Sequence, residues 1–200
     1  MTKNVITIDA DSIKNFDKLI SEHDKDVEIK GATLKDSFCS YSYELLKGPT
    51  KGDTLTHNGV HIIHDDLQEA FEKMNVFMAN LDDAFPETKN TTTFEELEAQ
   101  DEITEKYTVT GFKISGVEEN RAVVLLGYKE VTRGIIKFET PKEKLNGNYL
   151  YLHQLKTRLF DLIDEVENYR SGKTAPQDDP NQVVMTFAQE DDAFENAKVD

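Results

Sequence analysis

ITEKYTVTGFKISGVEENRAVVLLGYKEVTRGIIKFETP, Ile103 to Pro141, is the stretch whose reading decides the fold. Its three runs rich in β-branched and aromatic residues, ITEKYTVTGFKISG, NRAVVLLGYKEV and GIIKFETP, are separated only by VEE and TR. Connections that short cannot carry a crossover helix, so each run must turn back on its neighbour. The stretch therefore reads as an antiparallel meander, and the rest of the chain has to cover it.

Two helical stripes can do so. Leu67, Ala70, Phe71, Met74, Phe77, Met78, Leu81 and Phe85 recur at spacings of three and four, closed by Pro86. Leu152, Leu155, Leu159, Leu162, Val166 and Tyr169 form a second stripe, with Gly172 where a C-terminal helix cap belongs. Between them TFEELEAQ opens with Thr93 and Glu96, spaced as a capping box. Upstream, VITIDA (Val5–Ala10) reads as a short strand. A helix capped by Asp9 or Asp11 follows, with Ile13, Phe16, Leu19 and Ile20 on its apolar side. DVEIKG reads as another strand, and SFCSYSYELL alternates Cys39, Tyr41, Tyr43 and Leu45 against polar residues, as a half-buried strand does. KGPTKGDTLTHNG reads as a long loop, mobile or functional. Strands and helices in runs, without strict alternation, define an α+β fold. The expectation is one globular domain over residues 1–173, an antiparallel sheet packed on one face against two long helices near 65–85 and 149–171. TAPQDDPNQ and an acidic end carrying Met185, Phe187 and Phe194 follow. Residues 174–200 thus read as a linker and an acidic tail, expected to be disordered. Removing residues 177–200 should leave the melting temperature unchanged.

The 200 residues carry a net charge of −16, unevenly spread. Residues 1–102 hold 10 Lys/Arg against 22 Asp/Glu, residues 103–176 hold 12 against 10, and residues 177–200 hold 1 against 7. A surface that met phosphates everywhere would not have this composition. No apolar run reaches the roughly 18 residues of a membrane span, so no membrane partner is expected. The start MTKNVITIDADS lacks the pattern of a secretory signal, and the expected location is the cytoplasm.

THNGVHIIHDDLQEAF (Thr56–Phe71) brings His57, His61 and His64 beside Asp65 and Asp66. Imidazoles next to carboxylates suit zinc or non-haem iron. Yet GVHIIH is extended, and a spacing of three along a strand sends two side chains to opposite faces. The better account is a helix start, with Asp65 as N-cap, Gln68 completing its capping box and Asp66 in the first turn. No metal and no cofactor are expected. Cys39, the single cysteine, lies on an alternating strand as a small hydrophobe would. GPTKGDT lacks the GK[ST] ending of a phosphate loop. Nothing points to an enzyme.

The meander interleaves basic and aromatic residues. Lys106, Tyr107, Lys113, Tyr128, Lys129, Arg133 and Lys137 are the candidate nucleic-acid-binding residues, because rings stack bases while cations hold phosphates. Phe112 and Phe138 serve equally well as core. Asp191 and Asp192 beside Phe187 and Phe194 make the tail a candidate protein-binding segment. A linker followed by acidic residues with embedded aromatics resembles the C-terminal ends of single-stranded-DNA-binding proteins. In those, such a tail recruits protein partners and competes with DNA for the basic groove. This tail departs from the pattern by ending in AKVD, without a terminal Phe, and the globular part does not read as their five-stranded barrel. YTVTGFKISGVEENRAVVLLGYKEV and DLQEAFEKMNVFMANLDDAF also resemble segments of uncharacterised bacteriophage proteins. That resemblance implies a setting, the infected bacterial cell, and no activity.

Two functions of different class follow as expectations. One is a non-catalytic, single-stranded-DNA-binding protein with an acidic, partner-recruiting tail. The other is an acidic protein-interaction or inhibitory module, a mimic of DNA charge that binds no nucleic acid. If the carboxylates of 22–36 and 65–102 form one continuous anionic face, the second gains.

Overall fold

The computed structural model describes residues 26–85 and 91–176. The expected strand at Val5–Ala10, the helix after it and the acidic tail lie outside the described residues. Two antiparallel meanders are joined at their first strands. β1 (Val27–Lys35), β2 (Phe38–Leu45) and β3 (Thr54–Ile62) form one; β4 (Tyr107–Ser115), β5 (Ala122–Val131) and β6 (Gly134–Glu139) form the other. The sheet order is β3-β2-β1-β4-β5-β6, with the two-residue β7 (Glu143–Lys144) also paired to β5. Every pairing is antiparallel, so the meander read from Ile103–Pro141 is present. The chain is α+β.

β1 and β4, side by side at the centre, each shift register by one residue, between Ile29 and Gly31 and between Val109 and Gly111. These bulges bring backbones close. A Cβ on Gly31 would lie 2.7 Å from the Phe112 carbonyl oxygen, and one on Gly111 would lie 2.8 Å from that of Ala32. Glycine is therefore required on both strands of the central pair.

The helices are α1 (Asp65–Glu72), α2 (Asn75–Leu81), α3 (Phe94–Glu98), α4 (Asp101–Thr104) and α5 (Leu152–Arg170). α1 packs on α5, α1 and α2 cover β4, and α5 lies on β1. The core they close on the sheet contains Phe71, Phe77, Phe112, Leu155, Leu159 and Leu162. α5 ends in a Schellman motif: Lys173 N–H bonds the Asn168 carbonyl, Gly172 N–H bonds that of Tyr169, and Gly172 takes φ +105°.

Four expectations need correction. Only α5 is long. The stripe from Leu67 to Phe85 is buried as expected except at Leu81, but it is divided between α1 and α2. The Oδ1 of Asn75 accepts the Val109 N–H at 2.8 Å, where β4 bulges. That long-range bond turns the chain at Lys73–Met74, and no residue pattern along the helix encodes it. Second, the loop expected over 47–59 is shorter, because Thr54–Ile62 is the edge strand β3. Third, the described fold reaches past residue 173, since Thr174 bridges Ile63 and Ala175 N–H bonds the Ile62 carbonyl. Fourth, the N-cap of α1 is His64, not Asp65. His64 is extended and its Nδ1 accepts the Asp66 N–H at 3.2 Å, while Gln68 reaches Glu72 and makes no capping box. His64→Ala should therefore lower stability by about 1 kcal/mol and Asp65→Ala by much less, as denaturant titration will show. At Thr93 the capping box with Glu96 is formed as expected.

Candidate nucleic-acid interface

A sheet with its helices on one side presents its other face. Among the described residues that second face is uncovered, and strand parity decides what it displays. On β4, Tyr107, Val109 and Phe112 point into the core. The bulge flips the alternation, so that Thr108 and Lys113 both reach the open face. On β5 the open-face residues are Val124, Leu126 and Tyr128, partners of Lys113, Gly111 and Thr108. Tyr128 also lies directly across from Lys137 on β6. Its ring is 39% exposed. Lys137 is exposed beside it, and Lys113 is exposed further along the same face, across from Val124. Lys106, at the start of β4, and Arg133, in the two-residue turn after β5, are exposed at the same end of the sheet. Five of the seven candidate residues thus reach the open face or its rim, four of them at one end and Lys113 toward the other.

The other two do not. Tyr107 is 2% exposed, and its hydroxyl donates to Asp82 Oδ2, where the ammonium of Lys129 also donates. Lys129 sits over the Tyr107 ring, 5.3 Å from its centre, and Phe138 lies edge-on to Tyr107. Burial, and then the Asp82 carboxylate, push the Tyr107 hydroxyl up. The bond to Asp82 pushes the Lys129 ammonium up. Both residues therefore brace the helix layer to the sheet, and neither can meet a ligand on the far face. Their parity with Val109 and Leu125 was legible. Their partner, 25 residues upstream of Tyr107, was not.

Sequence reading also missed residues of the open face. Phe38 precedes the buried alternation of Cys39 and Tyr41, so it points the other way, and it pairs with Lys35 on β1 and Ile62 on β3. It is 39% exposed. Nearby, Lys30 binds Glu28 at 2.8 Å and Glu44 at 3.0 Å, while Arg121 binds Glu28 at 2.9 Å. These pairs neutralise the carboxylates of β1 and β2 and leave Lys35, Lys113 and Lys137 exposed.

The helical side is the opposite in charge. Residues 65–105 hold 13 carboxylates against 2 lysines. Between α1 and α5 a groove is lined by Asp66, Glu69, Lys73, Arg158, Asp161 and Glu165. A second groove continues from it past Glu72 to Glu98 and Asp101. Arg158 binds Glu98 at 2.5 Å, and Lys173 binds Asp66 at 2.5 Å and Glu165 at 2.8 Å. The bond from Lys173 holds the Asp66 carboxyl below its ordinary value. Glu28 does not join this surface, since it is held by Lys30 and Arg121.

The three clustered histidines separate. His57 packs its ring 5.1 Å from Tyr41, His61 offers its carbonyl to the Tyr169 hydroxyl at 2.6 Å, and His64 caps α1. No three metal-ligating side chains converge among the described residues. Cys39 is fully buried and its thiol is pushed up to about 12 by desolvation, so at neutral pH it is not a thiolate nucleophile. No helix among the described residues is long and apolar enough to cross a membrane. Phe187, Asp191, Asp192 and Phe194 lie outside the described residues. No protein-family model, curated protein or solved structure matches the chain.

Proposed function

We propose that this chain is a non-catalytic protein that binds single-stranded nucleic acid across the open face of its sheet. One observation carries the reading: among the described residues helices cover only one side of an antiparallel sheet, and the other side presents Tyr128 directly across from Lys137, with Lys113 further along the same face. An exposed ring on a flat sheet stacks a base of any sequence, and lysines on the same face take the phosphates. Lys106 and Arg133 extend the cationic track at one end, and Lys35 with Phe38 extends it across the sheet. Phosphates are held here while the anionic helices face away, so a negatively charged chain still offers one side to a polyanion. The acidic tail, through Phe187, Asp191, Asp192 and Phe194, would recruit a protein partner and compete for the same face.

Fluorescence anisotropy with a labelled oligothymidine at low and high salt tests this. Tyr128→Ala should weaken binding by roughly 1–3 kcal/mol, whereas Tyr107→Phe should leave affinity unchanged. Lys113→Ala with Lys137→Ala should reduce the salt slope by about 1.4, the contribution of two phosphates on a single strand. Deleting residues 177–200 should tighten binding and steepen its salt dependence. If neither form binds at low salt, the proposal fails.

The charge of the helical side supports a second reading, in which Glu69, Glu72, Glu98 and Asp101 dock a basic protein surface. Under it, Glu69→Lys with Glu72→Lys abolishes partner binding, and Lys113→Ala with Lys137→Ala has no effect.

A further inference from the structure

The two edges of the sheet differ. Along β3 the register slips between Phe38 and Ser40, and the end of the strand is taken by Thr174 and Ala175. A bulge and a covering segment are devices that stop an edge from pairing further. Among the described residues β6 has neither, and the charges it does carry, Lys137 and Glu139, are opposite in sign. Its register with β5 runs from Gly134 to Glu139 without a shift, it contains no proline, and no described residue pairs with its far side. Ile135 is 73% and Ile136 47% exposed, on opposite faces of the same edge. An edge with an uninterrupted register and two exposed isoleucines is a template for another strand.

From these features we propose that β6 pairs with β6 of a second copy of this chain, antiparallel, about a two-fold axis at Ile136. Hydrogen-bond phase restricts the choices. Glu130 gives its N–H to Lys106 on the β4 side, so Lys129 and Val131 direct their polar groups to β6. Their partners Ile136 and Gly134 are thereby satisfied. Ile135, Lys137 and Glu139 direct theirs outward, and an antiparallel pair must set those residues opposite one another.

Side-chain charge then selects the register. An axis at Ile135 sets Arg133 against the second copy's Lys137, and an axis at Lys137 sets that lysine against its own copy. Like charges directly opposite oppose pairing. An axis at Phe138 shortens the overlap and runs it into Pro141, which has no N–H to give. An axis at Ile136 aligns the strands over their whole length. It sets Arg133 opposite Glu139 twice, Ile136 against Ile136 on the helix side, and Ile135 against the aliphatic stem of Lys137 on the open face. The two open faces become one continuous surface. The argument stands on the edge alone and does not depend on what that surface binds.

Sedimentation velocity on the full chain over a range of concentration should show the 22.8 kDa species giving way to one of twice that mass. Arg133→Glu should weaken the dimer about tenfold, and Arg133→Glu combined with Glu139→Arg should restore it. Ile136→Cys, which faces itself in a non-hydrogen-bonded pair, should form a disulfide-linked dimer under mild oxidation. Lys137→Cys alone should not, and buried Cys39 supplies no background thiol. Circular dichroism verifies that each variant is folded. A chain that stays monomeric at every concentration, or that crosslinks through Lys137→Cys and not Ile136→Cys, overturns the proposal.

Discussion

Phe71→Asp should yield no cooperatively folding protein. Phe71 is fully buried where α1 meets the sheet, its ring 6.4 Å from that of Phe112. Losing the ring forfeits roughly 2–3 kcal/mol of transfer free energy, and the cavity it leaves adds to that. A carboxylate in its place meets no buried cation among the described residues, which costs several kcal/mol more whether it stays charged or takes up a proton. The total rivals the roughly 5–15 kcal/mol by which a domain is stable. Leu159→Asp on α5 should do the same, since that side chain closes the core from the other helix. The control is Leu150→Asp, at a position 45% exposed, which should melt with the parent. Thermal unfolding followed by circular dichroism reads all three. A cooperative transition in Phe71→Asp within a few degrees of the parent would mean the helices do not pack as described.

Asp82→Ala should be the most damaging polar substitution. It removes the acceptor shared by the Tyr107 hydroxyl and the Lys129 ammonium, and leaves both facing the interior. Bonds to charged groups are worth about 1.5–3 kcal/mol each, and fully buried pairs more. Side chains here retain 21–30% of their exposure, so a loss of roughly 2–3 kcal/mol is expected. Lys129→Ala should rescue part of it in the double variant, because the orphaned cation is then gone. The pH dependence follows from the direction of the shifts. Lys129 and Tyr107 both titrate higher in the folded chain than in the unfolded one. Their contribution is fully present below the unfolded values and is lost as pH rises through the folded ones. The parent should therefore lose stability at alkaline pH, above about 10 for tyrosine and lysine. Asp82→Ala should lose somewhat less there, because the Lys129 shift rests first on Asp82 whereas burial keeps the Tyr107 hydroxyl raised without it. Equal alkaline losses in both proteins would show that the triad does not form.

The elements whose partners lie close in sequence were legible. The meander was fixed by connections too short for any other topology, and the Thr93 cap by a spacing of three residues. α5 followed from an unbroken apolar period with a glycine at its end. The candidate interface was legible in part, for a similarly local reason: once β4 and β5 are strands, alternation separates Lys106 from Tyr107 and Tyr128 from Lys129. What alternation could not show is that a bulge at Gly111 reverses the parity of β4, or that Asp82 makes a core-facing lysine tolerable.

Sequence by itself therefore determined the secondary-structure class, the antiparallel second half and the charge asymmetry, because each rests on residues within a few positions of one another. Tertiary structure alone decided that β1 and β4 meet at the centre and that the helix after His64 bends at Asn75. It alone decided which of the basic and aromatic residues share a face. Those outcomes depend on bonds between residues such as Asn75 and Val109 or Asp82 and Lys129, far apart along the chain. No local period carries their signal, because the free energy that selects them exists only once the sheet and the helices are in contact.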